Sequence, residues 1–156
     1  MKTIAAALLV TVGLAGGALF AGPAGAEDDS YAVALKDIEQ TFGFVPTFMK
    51  QMPKAGFAGA WQQLKELEFS ESTALPAKTK ALIALAVVSQ VPCHYCIWAD
   101  TAAARQAGAT DEEIGEAVAV AATERYWSTA INGLQVDFET FKQELGPVLG
   151  VEAAKK

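Results

Sequence analysis

Prolines, glycines and helix-capping residues divide this chain into helix-length segments, in which apolar residues recur every three or four positions. Proline lacks an N–H and is tolerated in the first turn of a helix, whereas glycine commonly ends one. Thr110 followed by Glu113 forms a capping box, which marks a helix start. No run shows the alternation and Asn-Gly or Asp-Gly turns of hairpins. The sequence therefore predicts an all-α, single-domain helical bundle, with helices at about 31–42, 47–52, 53–69, 77–88, 93–107, 111–125 and 134–145.

Two of these segments are rich in large or apolar side chains. The segment 53–69 carries aromatic residues at helical spacing, which indicates a core position. The segment 77–88 is apolar nearly all round beyond Lys80, and such a helix is expected to be buried on several sides.

The first residues have the parts of a secretory signal peptide. A short cationic start precedes the apolar run 4–20, and Ala24 and Ala26 form an Ala-x-Ala cleavage site. A membrane anchor is the alternative, but several glycines weaken the run as a bilayer span. We therefore expect a signal peptide over 1–26, one domain over 27–156, and a periplasmic or secreted protein with no membrane association after cleavage.

Charge and length restrict the classes of partner. The formal net charge is -6 at pH 7, which disfavours the phosphate backbone of nucleic acids and anionic lipid surfaces. The chain has no long linker, low-complexity tract or internal repeat, as suits one domain with one core. We expect no nucleic-acid binding.

The two cysteines of the chain, Cys93 and Cys96, lie three apart at the predicted start of a helix. This spacing allows a disulfide, and the unpaired N–H groups of a helix start favour a thiolate. Covalent haem attachment would need a histidine directly after the second cysteine, where Ile97 stands. Zinc would need four ligands, and the cysteines with His94 provide three. A purely structural disulfide remains an alternative, although so short a loop stabilises little.

Several motifs together resemble the alkylhydroperoxidase D-like branch of the carboxymuconolactone decarboxylase family. Their ordered combination is more specific than an isolated Cys-x-x-Cys. They are Phe42-Gly43-Phe44-Val45-Pro46, the stretch 75–87 beginning Leu75-Pro76-Ala77-Lys78, the Cys93-x-x-Cys96 pair, and Ala107-Gly108-Ala109-Thr110-Asp111-Glu112-Glu113-Ile114.

The resemblance implies an all-helical subunit that forms trimers or hexamers and uses its dithiol to reduce hydroperoxides. Cys96 is implied as the residue that attacks peroxide, and Cys93 as the residue that resolves the sulfenic acid and meets an external thiol reductant. Helix geometry alone would make Cys93 the more acidic thiol. The expected substrates are hydroperoxides or partner disulfides, and we predict no cofactor and no metal.

Both positions of the family's proton relay are changed in this sequence. Active members resemble Glu-x11-Cys-x2-Cys-x3-His, whereas this chain has Ala81 twelve residues before Cys93 and Asp100 four after Cys96. Asp100 lies one helical turn from Cys96 and can accept a proton if burial raises its pKa. A solvated or capping carboxylate is the alternative for Asp100.

His94 is the single histidine of the chain and stands between the two cysteines. When protonated, its imidazole would carry a positive charge that stabilises a thiolate there. A solvent-facing His94 is the alternative. Glu124 and Arg125 either supply a charge near the thiols or form an exposed ion pair. Nearby aromatic side chains fit a substrate pocket, the core or a subunit contact; they are Tyr95, Trp98, Tyr126 and Trp127.

Two other functions compete with the peroxidase prediction. Loss of the relay fits a non-catalytic or redox-responsive oligomer. Decarboxylation, the reaction that names the wider family, has no evident use for two sulfurs.

Overall fold

The computed structural model describes the backbone of residues 24–151 and the side chains of residues 29–151. The predicted signal peptide lies outside this range, apart from its last three residues, which begin the first helix. Residues 24–151 contain helices and no strand, so the all-α prediction is confirmed. The helices are α1 (Ala24–Phe42), α2 (Thr47–Lys50), α3 (Phe57–Leu64), a π-helix (Lys65–Phe69), α4 (Ala77–Gln90), α5 (His94–Gln106), α6 (Asp111–Gly133) and α7 (Phe138–Val148).

The chain divides into two compact units, with the boundary inside α3 between Gln62 and Gln63. The assignment of residues 27–156 to one domain stays a prediction. No helix within residues 24–151 has the length and hydrophobicity needed to cross a membrane.

The unit before the boundary packs around Trp61. This side chain is 5% exposed, as expected for the aromatic segment, and Ile38 is fully buried. The Trp61 Nε1 donates a hydrogen bond to Asp37 Oδ2 at 2.7 Å, and Phe42 meets the indole ring edge to face. The buried indole N–H therefore has a partner, which removes the cost of desolvating it.

The second unit is organised by α4, which packs against the π-helix, α5 and α6. Leu85 on α4 is 1% exposed and is one of the two largest fully buried side chains in the described part of the chain. These three contacts confirm the prediction that α4 is buried on several sides. One stripe nevertheless stays exposed in the single chain. We call it the α4 stripe, and it consists of Ile83 and Val87 on the helix and of Val91, the C-cap residue.

The helix ends of this unit follow the local sequence rules. Thr110 Oγ1 accepts from the Glu113 N–H at 3.1 Å, and Glu113 Oε2 accepts from the Thr110 N–H at 2.8 Å, so the predicted capping box is present. Gly108, with φ +85°, ends α5 through the paired hydrogen bonds of a Schellman motif.

Several predicted boundaries are wrong. The first helix begins at Ala24 and not at residue 31. The segment 53–69 is not one helix, because α3 begins at Phe57, after a turn at Gly56 with φ +76°, and then widens into the π-helix. The predicted helix from Leu134 begins instead at Phe138, because Asp137 caps it by accepting from the Thr140 N–H at 2.8 Å. α6 extends to Gly133 and not to residue 125, the turn 134–136 follows it, and α7 continues through Pro147 to Val148 and not to residue 145.

Candidate functional site

Cys93 and Cys96 form a disulfide at the start of α5, with Cα atoms 5.3 Å apart. Cys93 is the N-cap residue of α5, and its Sγ accepts a hydrogen bond from the Cys96 N–H at 3.3 Å. Both side chains are half-buried. The sulfurs therefore lie at the positive end of a helix dipole, where a thiolate is favoured once the disulfide is reduced.

The connection from α4 to α5 fixes this position. The Cys93 N–H donates to the Val88 carbonyl at 3.3 Å, and Pro92 prevents α4 from continuing into the dithiol. The helix break predicted from Pro92 is confirmed, with α4 ending at Gln90 and α5 beginning at His94.

His94 lies at the surface, as in the alternative that the sequence left open. Its side chain is exposed, and its ring contacts the Tyr95 ring with centroids 4.2 Å apart. The imidazole is therefore accessible to solvent.

Asp100 is half-buried on α5, one turn after Cys96. Desolvation by burial raises the pKa of its carboxyl above the ordinary value. The sequence analysis required burial to raise the pKa of Asp100 before this residue could accept a proton, and the pKa is raised in this way. Ala81, at the other changed relay position, lies half-buried on α4.

The structure adds Glu68, a carboxylate that sequence reasoning missed. Glu68 belongs to the π-helix and has an exposed side chain. Partial desolvation raises its pKa most, the negative charge of Asp100 raises it further, and the Lys80 ammonium lowers it. Because the whole of α4 separates Glu68 from the dithiol in sequence, no local spacing signals its relation to Asp100.

Lys80 fixes the end of the π-helix that carries Glu68. Its Nζ donates to the Leu67 carbonyl at 2.9 Å, to the Ser70 carbonyl at 2.6 Å and to Thr73 Oγ1 at 2.8 Å. The ammonium thus satisfies backbone acceptors that the helix end leaves without intrahelical donors.

Arg125 contacts the end of α4 rather than forming the exposed ion pair considered for it with Glu124. The Arg125 Nε donates to Gln90 Oε1 at 2.8 Å, and Gln90 Nε2 donates to the Ala121 carbonyl at 2.6 Å. These bonds tie α6 to the residues that lead into the dithiol.

The four aromatic residues for which the sequence left a pocket, the core or a subunit contact open are not core residues of the single chain. Tyr95 and Trp98 are each 77% exposed, Tyr126 is 65% exposed and Trp127 is 55% exposed. Tyr126 and Trp127 contact each other edge to face with centroids 5.4 Å apart. Within the described side chains, no cluster of three or more His, Cys, Asp or Glu residues is suited to a metal ion.

The arrangement supplies the parts of a dithiol exchange reaction. It has two sulfurs that can open and close a disulfide, a helix dipole that favours a thiolate, and a carboxyl of raised pKa one turn away. Such a site can form a sulfenic acid on one sulfur and resolve it with the other.

Comparisons with known proteins identify the family and the fold. The profile of the carboxymuconolactone decarboxylase family matches residues 55–137. The chain is similar to the alkylhydroperoxidase AhpD core of Rhodospirillum rubrum, with 27% identity, a TM-score of 0.60, and 72% of this chain and 86% of that chain covered. It is 41% identical over 71 residues to the uncharacterized protein 4 in the cox locus of Paracoccus denitrificans, covering 46% of this chain. The match spans 63% of that relative's length.

Proposed function

Because the chain belongs to the carboxymuconolactone decarboxylase family, and to its alkylhydroperoxidase D-like branch, we propose that it reduces hydroperoxides or partner disulfides through Cys93 and Cys96. The observation that carries the proposal is the Cys93–Cys96 disulfide at the N-terminus of α5, with Asp100 one turn beyond. Decarboxylation gives these sulfurs no role.

The reaction follows from the chemistry of the pair. The Cys96 thiol loses its proton, and the thiolate attacks the terminal oxygen of the hydroperoxide. A sulfur–oxygen bond forms, the oxygen–oxygen bond breaks, and the leaving alkoxide takes up that proton and departs as an alcohol. The Cys93 thiol then attacks the sulfenic sulfur, forming the disulfide and releasing water. An external dithiol or two thiols restore the reduced pair and become a disulfide themselves.

Peroxide consumption with a dithiol donor tests this proposal in the wild type, Cys93→Ser and Cys96→Ser. The Cys93→Ser variant keeps an N-cap acceptor, so it isolates the loss of the sulfur from the loss of the cap. We expect the wild type to turn over and Cys96→Ser to fall to background. Equal background rates in all three proteins would overturn the enzyme proposal.

A redox-responsive protein without turnover is the second candidate, favoured by Ala81 in place of the family's relay glutamate. The ultraviolet absorbance of thiolates separates the two functions. A catalytic dithiol should titrate at about 7 or below, whereas a non-catalytic one should stay near the ordinary cysteine value of about 8.5.

We also propose that the protein acts as a homo-oligomer, a trimer or hexamer. The support is the exposed apolar surface of the second unit, above all the α4 stripe of Ile83, Val87 and Val91, at 49%, 55% and 66% exposure. Light scattering after size exclusion tests this, and Val87→Glu should shift the mass toward the monomer.

Export to a periplasm or beyond is proposed from the leader motif. In an oxidising compartment the pair would rest as a disulfide until a thiol donor reaches it. Fractionation and N-terminal sequencing test the proposal, with Glu27 expected as the first residue of the mature protein.

A further inference from the structure

We propose that Cys93 is the attacking thiol toward disulfides carried by a partner, and that Cys96 resolves the mixed disulfide that forms. This order is the reverse of the one proposed above for hydroperoxides, in which Cys96 attacks first. The inference rests on the proposed function and assigns each sulfur to one class of substrate.

The first support is the place of Cys93 in the backbone. Cys93 is the N-cap residue of α5, with extended φ and ψ of -95° and 94°, so its side chain leaves the chain just before the helix begins. Its carbonyl accepts the first intrahelical bond, from the Ile97 N–H at 2.8 Å, and its N–H donates to the Val88 carbonyl at 3.3 Å. The backbone on both sides of the sulfur is therefore fixed by hydrogen bonds.

The second support is a hydrogen bond to the sulfur itself. The Cys96 N–H donates to Cys93 Sγ at 3.3 Å, which is the bond that an N-cap side chain makes to the third residue of its helix. This geometry does not need the second sulfur, so the reduced Cys93 can keep the bond. An ionised acceptor makes a stronger bond than a neutral one, and the bond therefore favours the thiolate of Cys93.

The third support is the different setting of Cys96. This residue lies inside the first turn of α5, and its own N–H is the donor of the bond to Cys93. Asp100 follows Cys96 by four residues, on the same face of the helix and about one turn away. An ionised Asp100 opposes a standing negative charge on Cys96. Between the two thiols, the charge of the reduced pair is therefore favoured on Cys93.

Other charged groups of the packed helices do not reverse this order. On α5 itself they are the exposed His94 and the half-buried Asp100. Both α4 and α6 pack against α5. From α6, the Arg125 Nη2 donates to the Gln90 carbonyl at 3.4 Å, so a positive charge is bonded to the segment that leads into Cys93. The lysines of α4 lie in its first turn, at the other end of that helix.

Access to the sulfur agrees with a disulfide as its substrate. Cys93 is only half-buried, and the next two residues, His94 and Tyr95, are exposed. A thiolate leaving group departs with its charge, whereas an alkoxide has to be protonated as it leaves. The attack of Cys93 on a disulfide therefore needs no proton donor beside it.

The reaction balances in two steps. The Cys93 thiolate attacks one sulfur of the partner disulfide, so that a mixed disulfide forms, the partner's sulfur–sulfur bond breaks and its other sulfur leaves as a thiolate. The Cys96 thiol then loses its proton to Asp100 and attacks Cys93 Sγ, which closes the Cys93–Cys96 disulfide and releases the second partner sulfur. That proton and one from water leave the partner as two thiols, reduced by two electrons.

The test is the reaction of the prereduced single-cysteine variants with glutathione disulfide at neutral pH, followed by mass spectrometry. Cys96→Ser keeps Cys93 and should accumulate the mixed disulfide, because the resolving thiol is absent. Cys93→Ser keeps Cys96 and should form its mixed disulfide more slowly by about three- to tenfold. The half-maximal rate should also be reached at a lower pH in Cys96→Ser than in Cys93→Ser.

Charge variants add a readout that a structural role would not move. Asp100→Asn in the Cys93→Ser background should speed the reaction of Cys96, because an opposing charge is removed. The same change in the Cys96→Ser background should leave the rate of Cys93 nearly unchanged. Glu112→Gln is the matched control, since it removes an exposed charge next to Glu113, which bonds to Lys78 at the end of α4 remote from the dithiol. It should alter neither rate.

The wild type gives the same comparison without any substitution in the dithiol. The reduced protein is alkylated with less than one equivalent of iodoacetamide and digested with trypsin. Both cysteines then lie in the peptide from Ala81 to Arg105, and fragmentation between them assigns the label. We expect Cys93 to carry most of it.

The outcomes separate the two levels of the proposal. A reduced wild type that reacts with neither hydroperoxides nor glutathione disulfide would overturn the proposed function. Equal or faster mixed-disulfide formation in Cys93→Ser, or equal or preferred labelling of Cys96 in the wild type, would overturn the role of Cys93 alone. Faster reaction and preferred labelling at Cys93 would support it.

Discussion

The Arg125 Nε donates a hydrogen bond to Gln90 Oε1 at 2.8 Å, which joins the middle of α6 to the end of α4, three residues before the first cysteine. Gln90 is half-buried, and its amide nitrogen also donates to the carbonyl of Ala121, a buried residue. One side chain therefore fixes the helix that leads into the dithiol.

Replacing Gln90 by alanine should destabilise the protein by about 1–3 kcal/mol, because the Ala121 carbonyl and the Arg125 guanidinium both lose a partner. Urea unfolding measures this difference. Ser89→Ala is the control: its hydroxyl donates to the Ala86 carbonyl of the same helix, and alanine is the better helix former. We expect Ser89→Ala to change stability by no more than about 0.5 kcal/mol. Equal effects of the two variants would contradict the role of Gln90.

Gln135 occupies a backbone conformation that glycine would adopt more easily. Its φ is 52°, and the Gln135 and Val136 N–H groups close a Schellman motif on the Asn132 and Ile131 carbonyls. Gln135→Gly should therefore stabilise the protein by about 0.5–1 kcal/mol. The thermal midpoint should rise accordingly.

Gly108 provides the reverse experiment at the end of α5. Its φ is +85°, and no atom lies within 4 Å of the Cβ that alanine would add, so backbone strain alone decides the result. Gly108→Ala should lower stability by about 1 kcal/mol. If Gln135→Gly and Gly108→Ala change the midpoint in the same direction, the conformational argument fails.

Much of this fold could be predicted, because its helices begin and end at residues with strong local preferences. The Thr110 capping box, the helix stop at Gly108 and the break at Pro92 each depend on a few neighbouring residues. The end of α6 could not be predicted from such local preferences. There a glutamine takes the left-handed position usually held by glycine, and α6 extends to Gly133.

The pairing of the two cysteines could be predicted from the sequence, whereas the acid–base environment around them could not. Cys93 and Cys96 are close in sequence, so their spacing alone allows a disulfide, and the structure contains one. The family resemblance is confirmed by the matching profile and by the alkylhydroperoxidase core structure. The effect of the Asp100 charge on the Glu68 pKa depends on how the π-helix and α5 each pack on α4, and such a relation has no sequence period to reveal it.

The ion pair between α4 and α6 should make stability depend on pH. Lys78 Nζ donates to Glu113 Oε1 at 2.8 Å, and this hydrogen bond lowers the pKa of the Glu113 carboxyl below the ordinary value of 4.5. A lowered folded-state pKa gives stability that is present above the ordinary value and is lost as the pH falls through the folded-state pKa.

Lys78→Met should therefore lower the urea midpoint at neutral pH, and the difference from the wild type should shrink as the solution is made more acidic than pH 4.5. Lys142→Met is the control, because Lys142 pairs with Glu139 within α7 at an exposed site, where such pairs contribute little. A Lys78→Met deficit that persists undiminished in acid would show that packing, not the charge pair, is responsible.

Asp100 should act on stability with the opposite sign. Burial raises the pKa of its carboxyl above the ordinary value of 3.8, so the folded chain binds this proton more tightly than the unfolded chain. The stability of the folded state consequently falls as the pH rises from the ordinary value through the folded-state pKa, and the full cost remains at neutral pH.

Asp100→Asn removes the ionisable group with little change in shape. It should raise the free energy of unfolding at neutral pH and leave it unchanged in acid below 3.8, where folded and unfolded chains are both protonated. Glu116→Gln, at an exposed position on α6, should show no such pH-dependent gain. The same Asp100→Asn protein should lose on the order of 100-fold in peroxide reduction, because its base is gone. A more stable but slower variant is the outcome expected when a carboxylate is kept partly buried for its chemistry. An Asp100→Asn protein that is no more stable at neutral pH, yet equally active, would show that Asp100 is neither desolvated nor part of the reaction.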